Sequence, residues 1–251
     1  PLRRQRQMCI RDSFDRVVAL ARSHGDYLKR EEGIPAEKIV VIHNGVDTSR
    51  FSPAASPGER NGLRAGLGIP AEAFVVAIVA ALRPEKNHDM FLRAASELRG
   101  RGYLFLVVGE GGEERRLKDL AAQLSLGDSV RFMGRRKDIP DILAASDLFV
   151  LCSHPVVETF PLSVLEAMSS GVPAVSTRVG SVETILEDGR EGLLIEPGDE
   201  RALAGAIRSL REDGTRRREM GARARSRVVE RFSLDGMVGR YAALFDDLLG
   251  A

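Results

Sequence analysis

The stretch ETFPLSVLEAMSSG, Glu158 to Gly171, lies between two apolar runs, LFVL (Leu148–Leu151) and VPAVST (Val172–Thr177). Short runs without a polar face read as strands buried on both sides, the habit of a parallel sheet. Between them Leu162, Leu165 and Met168 recur at helical spacing and are expected to face a core. Pro161 suits the first helical turn, where its missing N–H would be unpaired anyway, and Gly171 fits just past the C-terminus. The segment reads strand, loop, short helix, strand. A helix N-terminus at the carboxyl end of a parallel strand presents free N–H groups and a positive dipole end to an anion. Glu158, in the loop, and Glu166, on the helix, flank that place, and neither is needed to bind an anion. They make better sense as acceptors for hydroxyl groups. An anion and several hydroxyls together point to a nucleotide-linked sugar.

Outward from this stretch the same alternation continues. Strands are expected at Phe74–Ala80, Leu104–Val108, Val130–Phe132, Leu148–Leu151, Ala174–Thr177 and Leu193–Ile195. Helical patterns fall at His88–Arg99, Glu113–Leu124, Ile139–Ala144, Leu162–Ser169 and Val182–Leu186, with Asn87 and Asp138 where N-caps belong. The fold class is therefore α/β, a Rossmann-like parallel sheet with helices on both faces, which binds ligands at the carboxyl ends of its strands. Upstream, a short strand (Val17–Leu20), a helix (Ser23–Glu31) and a second strand (Lys38–Ile42) precede a Gly/Pro/Ala connector, Ser52 to Ala71. Downstream the chain is helical: Asp199–Glu212, Thr215–Glu230 and Ser233–Leu249. Met237, Tyr241, Leu244, Phe245 and Leu248 make one apolar face of the last helix. Arg216, Arg217, Arg218, Arg223, Arg225 and Arg227 leave two readings of the helix before it: a solvated basic face, or a docking surface for anionic lipid.

Glu158 and Glu166, with seven residues between them, followed by AMSSGVPAVST and GSVET, resemble the Glu-x7-Glu signature of retaining GT-B glycosyltransferases of family 4. The resemblance covers roughly Val40 to Gly250 and implies the C-terminal, donor-binding domain of that two-domain fold, with KIVVIHNGVDTSRFSP as the link from a remnant of the N-terminal domain. It implies transfer of a hexose from a UDP- or GDP-sugar to a glycan or lipid acceptor with retention, as in polysaccharide or cell-envelope synthesis. Lys86, in LRPEKNH, would be the phosphate cation, joined by Arg83, since the family's earlier Arg is replaced by Ala81. Glu166 would accept from the ribose hydroxyls. Glu158 would hold hydroxyls of the transferred sugar and favour cationic character at the ring, so Glu158 and Lys86 are the expected catalytic pair. Thr159, Phe160, Pro161 and Leu162 continue the donor loop, with Thr159 where many members have Gly. The turn Gly109, Glu110, Gly111 would line the cleft, and Gly134 with Arg135 would lie nearest the base. VVGEGGEE (Val107–Glu114) also resembles a dinucleotide loop but lacks the full G-x-G-x-x-G. A nucleotide-sugar 2-epimerase-like isomerase and a non-catalytic nucleotide-sugar-binding module are the alternatives to transfer.

Composition bounds the rest. With 251 residues, plentiful charge and a net charge of +1, no whole-chain attraction to nucleic acid is implied. Two cysteines, Cys9 and Cys152, form no disulfide framework, which favours a reducing, cytoplasmic setting. The longest apolar run, Phe74 to Leu82, is far short of the ~20 residues of a membrane span. No Asp-x-Asp pair or His/Cys/Asp cluster has metal-ligand spacing, so neither metal nor cofactor is expected. Residues 1–13, PLRRQRQMCIRDS, carry no apolar periodicity, and MCIRDS resembles a translated transposase-end adapter from DNA library preparation. The expected organisation is an artefactual leader (1–13), the end of an N-terminal acceptor domain with its linker (14–71), a donor-binding domain (72–232) and a terminal helix returning toward the N-terminal domain (233–251). On that reading the chain is part of a longer enzyme and binds donor without turnover.

Overall fold

Strands with no polar face need cover on both sides, and the computed structural model, which describes residues 14–100, 102–155 and 158–250, supplies it. Two short strands come first, β1 (Val17–Ala19) and β2 (Ile39–Val41), paired in parallel with helix α1 (Arg22–Arg30) between them. The main sheet is formed by β3 (Phe74–Val79), β4 (Tyr103–Val108), β5 (Val130–Gly134), β6 (Leu148–Leu151), β7 (Ala174–Thr177) and β8 (Gly192–Ile195). All six run parallel, in the order β5-β4-β3-β6-β7-β8. The helices are α2 (Pro57–Gly66), α3 (His88–Leu98), α4 (Glu114–Gln123), α5 (Ile139–Ala145), α6 (Leu162–Ser169), α7 (Val182–Ile185), α8 (Glu200–Glu212), α9 (Gly214–Arg231) and α10 (Leu234–Leu249).

Alternation along each strand distributes side chains between the two covered faces. On β3, Phe74, Val76 and Ile78 pack with Phe91 of α3 and Ile207 of α8, while Val75 and Ala77 pack with Ile142 of α5. On β6, Leu148 and Val150 join the first core, and Phe149 and Leu151 meet Val164, Leu165 and Met168 of α6 and Val228 of α9. From β3 the sheet grows one way through β4 and β5; β6, β7 and β8 extend it the other way. The switch in direction falls between β3 and β6, which opens a crevice at their carboxyl ends.

Several expectations need correction. The connector Ser52–Ala71 contains α2, whose Gly58, Gly62 and Gly66 mask it as a loop. Ser56 caps it, accepting from Glu59 N at 3.1 Å, and the buried Arg64 fastens it. That guanidinium donates to the carbonyls of Ala145, Ala71 and Ala73 at 3.0 Å each and to Asp147 at 2.7 Å. Asn87 and Asp138 stand at N-cap positions, but neither side chain caps. Pro161 is the residue before the first helical turn, and Leu162, expected in the core, is 46% exposed. The basic helix α9 is not simply solvated. Arg225 donates to the carbonyls of Thr48, Phe51 and Ser169 at 2.8–2.9 Å, and Arg227 to that of Ile185 at 2.7 Å. These arginines close loop and helix ends that would otherwise lack donors.

The chain's return is fixed at one crossing. Val46 N donates to Phe232 O, and Leu234 N donates to Val46 O, both at 2.9 Å. From there α10 brings Asp247 to 3.8 Å from Arg16, the residue before β1. None of its residues is buried, and Phe245 is 57% exposed. Residues 1–13, including Cys9, lie outside the described residues, so the expected leader is not addressed by the structure.

Candidate active site

Two loops meet over the crevice between β3 and β6. After β3 the chain makes a single tight turn, Pro84–Lys86, stopped by Asn87 in the left-handed region at φ 49°. After β6 it passes through buried Ser153 and on to Glu158. The loops are tied by backbone, His154 N donating to Glu85 O at 2.9 Å. This brings Lys86 Nζ into an ion pair with Glu158 Oε1, and Ser153 Oγ donates to the same oxygen at 2.8 Å. The two charged side chains are only 21% and 9% exposed, so the pair is largely withdrawn from water.

Beside the pair, α6 begins without a side-chain cap, because Pro161 has none to offer. Its first N–H groups are left for solvent or an anion. Glu166 sits on the same helix, half-buried. Burial pushes its carboxyl up to about 6, against a smaller opposing pull from Arg50. The floor is backbone. Gly109, at φ 144°, donates its N–H to Gly134 O at 2.9 Å, and a Cβ there would overlap Ala80 O; one on Gly111 would overlap Leu82 O. Glu110 and Arg135 pair at 3.5 Å on the exposed rim. Arg83, 68% exposed, lies 3.9 Å from Glu85 and outside the Lys86–Glu158 pair. Thr159 is half-buried and accepts from Ser181 N at 3.1 Å; Phe160 is buried. Among the described residues no three His, Cys, Asp or Glu side chains are grouped as a metal would need.

Two contributors, Ser153 and His43, were not singled out from sequence, and a third, Gly180, was read there only as part of GSVET, a loop similar to the family's. Ser153 supports Glu158, and its place just past the end of β6 was the available signal. His43 stacks on Phe160 with ring centroids 5.4 Å apart, its Nδ1 2.7 Å from Leu20 O. Gly180, in the loop after β7, has φ 54° and passes so close that a Cβ would overlap Glu158 O. Gly180→Ala is therefore expected to destabilise the chain by about 1–3 kcal/mol and to displace Glu158. Thermal denaturation, with a nucleotide titration beside it, checks both effects; an unchanged melting point would mean the loop yields freely.

The sequence matches the family described as glycosyl transferases group 1 over residues 59–227, from within α2 to within α9. The chain belongs to that family. A second match, to glycosyltransferase family 4, covers residues 1–50. Both loops of the glycosyltransferase crevice fall inside the first match. The chain is 35% identical over 238 residues to the D-inositol 3-phosphate glycosyltransferase of Kineococcus radiotolerans, covering 86% of this chain and 54% of that protein. It is 30% identical over 239 residues to the UDP-Gal:alpha-D-GlcNAc-diphosphoundecaprenol alpha-1,3-galactosyltransferase of Escherichia coli, covering 93% of this chain and 60% of that one. The chain thus spans about half the length of the curated relatives it matches. Among solved structures, Anabaena HepE in complex with UDP and glucose superposes with a TM-score of 0.85 at 28% identity, over 92% of this chain and 63% of that one.

Proposed function

We propose that the chain is the donor-binding half of a retaining glycosyltransferase that takes a hexose from a UDP-sugar, and that residues outside it supply the acceptor site. The observation that carries the reading is the withdrawn Lys86–Glu158 pair beside the uncapped start of α6. In glycosyl transfer the bond from the anomeric carbon to the diphosphate breaks, so negative charge grows on the leaving phosphate and positive charge on the sugar ring. Lys86 and the first N–H groups of α6 are fixed donors for that phosphate and need no rearrangement as the charge develops. When the phosphate takes Lys86, Glu158 is released to accept from sugar hydroxyls and to favour a cationic ring, still held by Ser153. Glu166 accepts from the ribose, and the Gly109–Gly111 turn with Gly134 lets donor approach the backbone. The acceptor hydroxyl attacks on the face from which the phosphate leaves, with no carboxylate acting as nucleophile.

The choice of UDP rests on relatives: HepE was crystallised with UDP and glucose, and the Escherichia coli relative is named for UDP-Gal. The Kineococcus radiotolerans and Escherichia coli relatives are named for different acceptors, so the acceptor is left as a glycan or lipid. Calorimetric titration of the chain with UDP, GDP and their sugars in EDTA tests the reading. UDP is expected to bind at least about tenfold more tightly than GDP, a difference of about 1.4 kcal/mol. No uptake of either nucleotide by folded chain would refute the donor site, and measurable transfer by this chain alone would refute its being half an enzyme.

A further inference from the structure

At the end of the sheet opposite the Lys86–Glu158 pair lies a cavity of about 360 Å³ with Arg60, Arg217 and Arg218 in its wall. It sits at the amino ends of β6 and β7, between Asp147, the turn Gly171–Pro173 and the first turn of α9. Asp147 is its one lining carboxylate, and it is already engaged. Its Oδ1 takes Arg60 at 2.8 Å; its Oδ2 takes Arg64 at 2.7 Å and Val75 N at 2.8 Å. Arg60 uses only Nη2 in this clamp, which leaves its Nε and Nη1 without partners among the described residues. Arg217 donates through Nη1 to Leu210 O at 2.6 Å and lies over the Phe74 ring, and Arg218 reaches only Thr215 Oγ1 at 3.2 Å. Donors and positive charge are in surplus.

The surplus stands where the fold disfavours it. Arg216, Arg217 and Arg218 open an 18-residue helix whose first turn holds no acidic residue, so three cations meet the positive end of its dipole against the single carboxylate of the N-cap, Asp213, which accepts from Arg216 N at 2.9 Å. Burial holds the Arg217 guanidinium below the usual arginine range, Asp147 opposes this, and repulsion from Arg218, Arg60 and Arg64 adds to it. A bound anion relieves all of these at once. Planar guanidinium forks converging from two helices suit the several oxygens of a phosphate better than a single carboxylate. A second cavity of about 460 Å³ shares Arg60, Ser146 and Gly171 with the first and is lined by Pro53, Ala54 and Ala144, giving room for the remainder of an organic phosphate.

We infer that this arginine-walled cavity, remote from the donor crevice, binds a phosphate-bearing ligand. The probe is pyrophosphate, titrated into the full chain carrying Lys86→Ala, so that the donor crevice binds it more weakly and the arginine variants below report on the cavity. Arg218→Gln, an exposed position safe for folding, and Arg60→Gln should each weaken binding roughly tenfold, the loss of one charge-assisted hydrogen bond. Arg216→Gln, which removes the same charge from outside the cavity wall, should leave it unchanged. Equal weakening by Arg216→Gln and Arg218→Gln would reduce the effect to general charge and overturn the site, as would no binding at all. Sedimentation with phosphatidylcholine vesicles, with and without phosphatidic acid, separates the sources. Phosphatidic acid-dependent sedimentation that pyrophosphate displaces identifies a lipid headgroup; pyrophosphate binding without sedimentation identifies a soluble phosphorylated ligand.

Discussion

Lys86→Ala is expected to weaken UDP binding by about tenfold to a hundredfold while also destabilising the unliganded chain by about 1–3 kcal/mol. The two effects have one origin. In the free protein Lys86 neutralises Glu158, whose side chain is 9% exposed, so removing the lysine strands a nearly buried carboxylate. Glu158→Gln is the milder change, because Lys86, 21% exposed, can turn its ammonium to water. That variant should also keep or improve UDP affinity, since the phosphate no longer competes with a carboxylate for Lys86. The double variant Lys86→Ala/Glu158→Gln should regain most of the lost stability and none of the lost affinity. A double-mutant cycle on both readouts separates pairing from phosphate binding. Uridine, which has no phosphate, should bind wild type and Lys86→Ala alike. If UDP also bound both alike, Lys86 would not be the phosphate cation.

The parts of the fold readable in the sequence are those where one physical demand acts alone. FVVAIV and LFLVV admit few arrangements other than buried parallel strands, and the observed β3 and β4 differ from the expected bounds by one residue at an end. The helix α2 was hidden because its signals conflict. SPGE is a good helix start, but Gly58, Gly62 and Gly66 lower the propensity, and the helix is fastened by Arg64 to Ala145 and Asp147, more than eighty positions on. The arginines of α9 failed differently. Charge alone suggests solvent, and only the tertiary structure reveals that Arg225 and Arg227 donate to carbonyls of distant segments. In the crevice, the resemblance named Glu158 and Lys86 from local motifs, and the fold brings the two side chains together. Their partners were less readable: Ser153 lies five residues from Glu158 in the same loop but carries no motif, and Gly180, in the GSVET string of the resemblance, meets Glu158 only through an approach between separate loops.

Glu166→Gln is expected to make the chain more stable and a poorer nucleotide binder at once. The folded protein holds the Glu166 proton up to a pKa of about 6, raised from the model-peptide value of 4.5 by burial. Folding thus favours the protonated form. Stability conferred by that proton is fully present below about pH 4.5 and is lost as the pH rises through about 6. Above that, the ionised carboxylate costs the fold on the order of 2 kcal/mol. Glutamine keeps the shape without the charge, so its melting-point advantage should be clear near pH 8 and vanish near pH 4. Binding should run the other way. Only the carboxylate accepts from two ribose hydroxyls without a proton of its own, so uridine, which does not titrate in this range, should bind wild type more weakly as the pH falls through about 6. In Glu166→Gln the affinity should be low and flat with pH. A flat profile in wild type, or equal affinities in the two proteins, would remove Glu166 from the ribose contact. A half-buried carboxylate that weakens its own fold at neutral pH is explained by a ligand whose hydroxyls complete it, and the opposite signs of these two measurements are what that explanation requires.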